Sequence, residues 1–147
     1  MIKMINVKYG LLIMFMCFSY LVASQTVLGK WKTVDDKTGE EKSIVELYKH
    51  NGKVFGKIIE IFDKSKRDLP CKFCEGDDKN KPILGLNIIK DMEKVGDVYK
   101  KGTVTNPEDG KIYDCRIKLD DDDPNKLQLR GYIAFFYRTQ YWKRIKD

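Results

Sequence analysis

Apolar and polar residues alternate along most of this chain, beginning at Val27. Alternation with a period of two is typical of β-strands that bury one face, whereas an amphipathic helix repeats every three or four residues. Glycine, asparagine and aspartate interrupt the alternation at short intervals, as they do at the turns between hairpin strands. The pattern therefore predicts an all-β domain of about seven or eight sequential antiparallel strands.

The predicted strands are separated by clear turn signals. They span residues 27–34, 43–49, 53–62, 98–105, 111–119, 126–133 and 139–145. Residues 63–82 lack any period and are predicted to form a long loop, and residues 83–92 fit either a short strand or a helical turn. Sequential hairpins leave two open edges unless the sheet closes, so we expect a small antiparallel up-and-down β-barrel of about eight strands.

The first 24 residues have the pattern of a secretory signal peptide. Lys3 and Lys8 give a basic start without an acid, residues 9–23 are almost entirely apolar, and Val22-Ala23-Ser24 supplies the small residues that signal peptidase requires. A retained membrane anchor is the alternative, but an apolar run of about 15 residues is shorter than the roughly 20 that cross a bilayer. We predict a signal peptide over residues 1–24, one domain over residues 25–147, and a secreted or periplasmic protein with no stable membrane span after cleavage.

Composition and charge narrow the possible functions. Of the residues, 42% are hydrophobic, a proportion typical of a globular domain. The chain of 147 residues has the length of one domain and is too short for an enzyme with separate cofactor and substrate domains. Its 28 basic and 22 acidic residues give a formal charge of +6, and the basic residues are dispersed along the chain. Nucleic-acid binding favours a continuous basic stripe interleaved with aromatic residues. We expect no nucleic-acid partner, and the sequence predicts no particular oligomeric state.

Several short motifs stand in a fixed order along the predicted mature chain. They are Val27-Leu28-Gly29-Lys30-Trp31, Pro82-Ile83-Leu84-Gly85-Leu86, Asn106-Pro107-Glu108-Asp109-Gly110, Leu129-Arg130-Gly131-Tyr132 and Arg138-Thr139-Gln140-Tyr141-Trp142. In this order they resemble the secreted bacterial family catalogued as domain of unknown function 2147. The resemblance covers residues 27–145 and implies a small lipocalin-like β-barrel. It implies no activity, because none is established for the family.

The opening Gly-x-Trp motif also resembles the wider lipocalin superfamily. In that superfamily the tryptophan of the first strand packs under an arginine of the last strand and closes one end of the barrel. The resemblance assigns this structural role to Trp31 and Arg144, with Arg138 as the alternative arginine. A planar guanidinium fits well on the face of an indole, so the pairing is physically sound.

The last two predicted strands carry the candidate ligand-binding residues. Arg138, Gln140 and Trp142 share one face of the final strand, and Arg130 and Tyr132 share one face of the strand before it. If both faces point into the barrel, they form a donor-rich cavity with aromatic walls that suits a small anionic or amphipathic molecule. In the alternative, these faces point to solvent and the apolar faces fill the core, since long arginine side chains are usually outside.

Cys71 and Cys74 are separated by two residues in the predicted long loop. In an oxidising compartment we expect them to form a local disulfide, with Cys115 buried on the apolar face of its strand. Two alternatives remain: a zinc site that adds Cys115 and His50, and a redox-active pair, which needs a helix N-terminus to lower the thiol pKa. Members of the resembled family often have a cysteine pair around the second hairpin, where this chain has His50 and Phe55 instead.

These observations predict a binding protein rather than an enzyme. The chain has a single histidine, His50, and it lies in a predicted turn, so a nucleophile–base pair is not indicated. No cofactor or metal is implied, and a small molecule is the expected partner. The alternative is an interaction module of the cell envelope without a small-molecule ligand, which would use exposed aromatic residues such as Phe135, Phe136 and Tyr137.

Overall fold

Eight antiparallel strands follow one another along residues 25–146, the part of the chain that the computed structural model describes. The strands are β1 (Gly29–Val34), β2 (Glu41–His50), β3 (Lys53–Ile61), β4 (Asn87–Val95), β5 (Val98–Thr105), β6 (Ile112–Leu119), β7 (Lys126–Ile133) and β8 (Phe136–Arg144). Each strand pairs with the next and β8 pairs with β1, so the sheet closes into a barrel. This confirms the predicted up-and-down barrel and assigns residues 87–92 of the ambiguous stretch to β4.

The predicted signal peptide lies outside the described residues. Within residues 25–146, the only helices are two short 3-10 turns, Lys64–Lys66 and Gly76–Asp78, and no helix is long and apolar enough to cross a membrane.

Inward side chains fill one half of the barrel. Large residues of β1, β2, β4, β6 and β7 are almost completely buried there: Trp31, Leu47, Ile89, Met92, Ile117 and Leu127. Full burial of one such side chain contributes about 1.5–3 kcal/mol, so this cluster is the main source of stability of a small barrel. This half of the barrel is a packed core.

Strands β4 and β5 approach each other closely at Gly102. A Cβ atom at this position would lie 2.2 Å from the carbonyl oxygen of Lys90, a distance that no side chain tolerates. The preceding Lys101 has a φ of 65°, in the left-handed region, and the β5–β6 register shifts between Tyr99 and Gly102. The irregularity is a β-bulge, and bulges bend a sheet locally in the way that closure of a small barrel requires.

The connections between strands differ in length at the two ends of the barrel. At one end, called the closed end, two-residue turns join β2 to β3 and β4 to β5, and residues 120–125 join β6 to β7. At the other end, called the open end, the first three connections span residues 35–40, 62–86 and 106–111, and a two-residue turn at 134–135 joins β7 to β8. The longer connections therefore surround the open end.

An arginine from β8 covers the closed end. The guanidinium carbon of Arg144 lies 4.2 Å from the centre of the Trp31 ring, and its Nη2 donates a hydrogen bond to the Thr26 carbonyl at 2.7 Å. The indole Nε1 of Trp31 in turn donates to the Val27 carbonyl at 2.8 Å. The structure thus brings Trp31 together with Arg144, the arginine that the resemblance assigned, and leaves Arg138 at the open end.

The β3–β4 connection contains a disulfide between Cys71 and Cys74, which confirms the predicted local bond. Both cysteines are fully buried. The Cys71 backbone N–H donates to the Lys81 carbonyl at 2.8 Å, and a β-bridge joins Pro70 to Pro82. The long connection is therefore folded back on itself and fixed around the disulfide, although it has no periodic pattern.

The four residues of the zinc hypothesis are not brought together. Cys71 and Cys74 are bonded to each other, and His50 lies at the closed end, far along the barrel from the β3–β4 connection. Cys115 is buried in the barrel wall, where burial raises the pKa of its thiol to about 12. Across residues 25–146 no three metal-ligating side chains cluster in space.

Arg144→Lys should destabilise the barrel more than the same substitution at Arg130. A lysine cannot cover the indole with a planar group or donate to the Thr26 and Leu28 carbonyls together. We expect the free energy of unfolding to fall by about 2 kcal/mol for Arg144→Lys, the value of a desolvated cation–π pair. For Arg130→Lys we expect a loss of less than about 1 kcal/mol, because Arg130 lies over the exposed ring of Tyr137. Urea denaturation measures both values. Equal losses would contradict a specific closing role for Arg144.

Candidate functional site

The open half of the barrel is hollow. A cavity of about 1110 Å³ begins next to the packed core and extends to the open end. Its volume lies just above the usual range for clefts that bind small molecules, which is roughly 300 to 1000 Å³. Eight strands enclose an interior that side chains can fill or that can hold one small ligand. In this barrel the closed half is filled and the open half is not.

The cavity exists because several inward positions carry small side chains. Gly131 lies on the inward face of β7, between Leu129 and Ile133. A Cβ atom at Gly131 would lie 3.4 Å from the Cβ of Tyr113, so a larger side chain could be accommodated there and would project into the cavity. Val104 of β5 faces the same space. Larger residues at these positions would extend the packed core towards the open end.

The wall of the cavity is mainly apolar. Inward side chains of β3, β4, β6, β7 and β8 contribute Ile58, Ile61, Ile88, Tyr113, Leu129, Ile133, Phe136 and Trp142. A molecule that enters this space exchanges water for hydrocarbon and aromatic surface, which favours an apolar body.

Residues 62–86, called the roof, cover part of the mouth of the cavity. Leu69 and Phe73 of the roof line the cavity. The roof packs directly on the β5–β6 connection, because Cys71 Sγ lies 3.6 Å from the Pro107 carbonyl oxygen and a Cβ atom at Gly110 would lie 1.8 Å from the Phe73 carbonyl oxygen. The disulfide therefore fixes the part of the roof that faces the cavity.

A chain of hydrogen bonds runs from the cavity wall to its rim. Trp142 Nε1 donates to Gln140 Oε1 at 3.1 Å, and Gln140 Nε2 donates to Asp36 Oδ1 at 3.4 Å. Arg138 Nε donates to both carboxylate oxygens of Asp36 at 2.7 Å, and Arg138 Nη2 donates to the same carboxylate. The structure brings Arg138, Gln140 and Trp142 together along one side of the cavity.

Asp36 neutralises Arg138 at the rim. The hydrogen bond from Arg138 holds the pKa of the Asp36 carboxyl below its usual range, and the Asp36 carboxylate raises the pKa of Arg138. Both groups are therefore charged at neutral pH and form a closed ion pair. The sequence predicts a donor-rich cavity for a small anionic or amphipathic molecule, whereas in the structure the protein's own carboxylate occupies the Nε and Nη2 donors of Arg138.

Asp35 forms a second charged cluster beside the first. Its carboxylate accepts hydrogen bonds from the backbone N–H groups of Lys37 and Thr38, each at 2.9 Å, and lies 3.2 Å from Lys42 Nζ. The hydrogen bonds from Thr38 and Lys37, followed by that from Lys42, hold the pKa of Asp35 well below its usual range. Lys42 also lies 3.7 Å from Glu108. Opposite charges are thus interleaved, and the rim is polar but close to neutral.

Arg130 and Tyr132 lie on the outside of the barrel, so the prediction that they share the cavity with the β8 residues is wrong. The β7–β8 register pairs Arg130 with Thr139 and Leu129 with Gln140. Successive residues of a strand point to opposite faces, so Leu129 points into the cavity and Arg130 points away from it. Arg130 Nε accordingly donates to Thr139 Oγ1 at 2.8 Å on the outer surface.

Three contributors to the site carry weak signals in the sequence. Asp36 resembles an ordinary turn residue after β1, and its partner Arg138 is 102 residues away. Phe73 lies between the two roof cysteines, where no periodicity predicts its direction. Gly131 carries the clearest signal of the three, because it interrupts the apolar inward face of β7.

Comparison with known proteins agrees with this architecture. A family model described as an uncharacterized protein conserved in bacteria, domain of unknown function 2147, matches residues 29–144. Among solved structures, protein HP1028 from the human pathogen Helicobacter pylori, described as belonging to the lipocalin family, is similar: it is 28% identical, with a TM-score of 0.71 over 83% of this chain and 84% of that one. No curated protein sequence matches. Because the family model covers most of the chain, the protein belongs to the domain of unknown function 2147 family, and its fold is a lipocalin-like barrel.

Proposed function

We propose that this protein binds a small amphipathic molecule in the open half of its barrel and does not convert it chemically. The observation that carries the proposal is the apolar cavity of about 1110 Å³ whose polar groups are concentrated at the rim. An amphipathic molecule fits this distribution, because its apolar body lies against the wall while its head group reaches Gln140 and the ion pairs beyond it. The lipocalin-like fold supports the same function, since such barrels enclose ligand cavities.

The head group of the ligand is uncharged in this proposal. Arg138 is already held by Asp36, so an incoming carboxylate would lie beside another carboxylate or displace it. Like charges a few ångströms apart repel each other even near a protein surface. A hydroxyl or amide head group exchanges hydrogen bonds with Gln140 without disturbing the ion pair. Of the two ligand classes that the sequence predicts, the rim therefore favours the amphipathic one over the anionic one.

The titratable groups near the cavity favour binding over catalysis. The pKa values of Asp35 and Asp36 are lowered, so both are ionised at neutral pH and neither suits the role of a general acid. Cys115 remains a thiol at neutral pH, because burial raises its pKa to about 12, and a thiol is a poor nucleophile.

We also propose that the protein works outside the cytoplasm, as a secreted or periplasmic protein. The buried Cys71–Cys74 disulfide supports this location, because such bonds persist in oxidising compartments. The predicted signal peptide over residues 1–24 supplies the route of export.

Native mass spectrometry of the protein purified from its own host without detergent tests whether the cavity carries a molecule. We expect an added mass that is released when the protein is denatured in organic solvent. The variant Gly131→Leu, purified in the same way, should lack the added mass because its cavity is smaller. Purified protein that never carries a molecule would contradict the proposal.

Gly131→Leu should weaken the binding of an apolar probe by filling the cavity. We expect the affinity for N-phenyl-1-naphthylamine, an uncharged fluorescent probe, to fall at least about tenfold, since the new side chain occupies space that would bury a comparable part of the ligand. Probe fluorescence and quenching of Trp142, which lines the cavity, measure binding. Gln128→Leu adds the same side chain to the outward face of β7 and should leave the affinity unchanged. A folded Gly131→Leu variant with the parent affinity would show that the probe binds elsewhere.

Asp36→Asn should change which head group is preferred. The neutral amide leaves Arg138 without its counter-charge, so an anionic head group gains a partner. We expect the parent to bind dodecan-1-ol more tightly than dodecanoate. The variant should bind dodecanoate roughly tenfold more tightly than the parent does, because it gains one charge-assisted hydrogen bond to the ligand. Displacement of the fluorescent probe measures both affinities.

The matched control for this head-group experiment is Asp121→Asn, which makes the same charge change at an exposed position of the closed end. It should leave both affinities unchanged. An equal gain in dodecanoate affinity for the two variants would mean that net charge, and not the Asp36–Arg138 pair, determines the preference.

A further inference from the structure

The hairpin between β7 and β8 ends in an exposed apolar segment, residues 133–137, which we call the tip. Its sequence is Ile-Ala-Phe-Phe-Tyr, without a charge. Phe135 is 98% exposed, Phe136 is 75% exposed and Tyr137 is 64% exposed. A run of exposed apolar residues of this length lowers solubility and marks a surface that contacts a partner or a membrane.

The tip is not built for the stability of its own turn. A two-residue hairpin turn favours Asn-Gly, because its central residues adopt positive φ. The β2–β3 turn of this chain has that sequence, Asn51-Gly52, whereas the β7–β8 turn places Ala134 at a φ of 49° and follows it with Phe135. The less favourable turn sequence indicates that the apolar character of the tip has a role outside the fold.

The outer surface beside the tip carries two neighbouring arginines. Arg116 of β6 and Arg130 of β7 are directly paired across the two strands, and like charges in that position destabilise a sheet. Asp114 lies on the same face, opposite Tyr132. Among residues 25–146, however, no carboxylate lies within ion-pair distance of either guanidinium. An anionic partner at this place would relieve the repulsion between the two arginines.

Tyrosine side chains lie beside Arg130 and elsewhere on this outer face. The guanidinium carbon of Arg130 lies 4.5 Å from the centre of the Tyr137 ring, and the Tyr132 ring lies 6.2 Å from the Tyr137 ring. Farther from the tip, Lys126 Nζ lies 5.7 Å from the centre of the Tyr141 ring. Amphipathic aromatic side chains prefer the headgroup level of a bilayer, and nearby cations interact with anionic lipids.

We propose that the β7–β8 hairpin docks this protein on the surface of a membrane that contains anionic phospholipids. Phe135 and its neighbours enter the headgroup region, and Arg116 and Arg130 contact lipid phosphates. Apolar insertion alone, or a basic patch alone, gives only marginal membrane binding. The two combined give stable and reversible binding. The docking does not depend on the proposed ligand function, because Phe135 is fully exposed and is not part of the cavity wall.

Phe135→Ser tests the apolar part of this docking. In co-sedimentation with vesicles of phosphatidylcholine and phosphatidylglycerol, we expect the variant to bind at least about tenfold more weakly than the parent, since it loses one inserted phenylalanine. Val95→Ser removes an apolar side chain that is exposed at the closed end and should leave vesicle binding unchanged. In the absence of vesicles, Phe135→Ser should bind N-phenyl-1-naphthylamine as the parent does, which separates docking from ligand binding.

Combined Arg116→Gln and Arg130→Gln test the electrostatic part. Each cation near an anionic membrane contributes about fivefold in affinity, so the double variant should bind the phosphatidylglycerol vesicles roughly 25-fold more weakly. The parent should bind pure phosphatidylcholine vesicles weakly as well. Combined Lys94→Gln and Lys100→Gln make the same change in net charge near the closed end and should have little effect.

Two results would overturn the proposal. The first is equal vesicle binding by the parent and the two tip-region variants, or equal binding to neutral and anionic vesicles. The second is a concentration-dependent oligomer that Phe135→Ser dissociates in sedimentation velocity while vesicle binding stays unchanged. That result would identify a second copy of the chain as the partner of the tip.

Discussion

Every feature of the open end depends on how the interior of the barrel is divided between side chains and space. Eight strands enclose little more room than their own inward side chains need, so Trp31, Leu47 and Leu127 with their neighbours are enough to fill the closed half. Arg144 stacks on Trp31 and covers this packed core at the closed end. Beyond it, small inward residues such as Gly131 leave the open half empty. One constraint on volume thus determines both the packed core and the size of the site.

Alternation within a strand determines which side chains share a face, and this was sufficient to predict the barrel and the common face of the β8 residues. It does not determine how β7 aligns with β8, because a shift of one residue exchanges the inner and outer faces. The turn at residues 134–135 places Arg130 opposite Thr139. Ala134 and Phe135 lack the Asn-Gly pattern of such a turn. The sequence therefore indicates a longer loop there, which leaves both orientations of Arg130 open.

The difference between local and distant interactions also explains which parts of the site are predictable. Cys71 and Cys74 are near neighbours, so their bond follows from their spacing and the predicted export. Asp36 reaches Arg138 only because β1 and β8 close the barrel, and its local sequence does not distinguish it from other turn aspartates. The chemical consequence is large, since this one ion pair occupies a guanidinium of the site predicted for an anionic or amphipathic molecule and makes the rim nearly neutral.

The proposed docking surface and the proposed ligand site meet at the β7–β8 hairpin. Ile133 and Phe136 pair across the two strands, line the cavity and remain exposed beside Phe135. A hairpin that lies in the headgroup region therefore brings the mouth of the cavity to the membrane surface, where amphipathic molecules are concentrated. The roof covers the mouth from the β3–β4 side, which leaves the side of the tip for entry. A rim whose charges are already paired suits this route, because an uncharged amphipathic molecule can then pass from lipid to the apolar wall without breaking an ion pair.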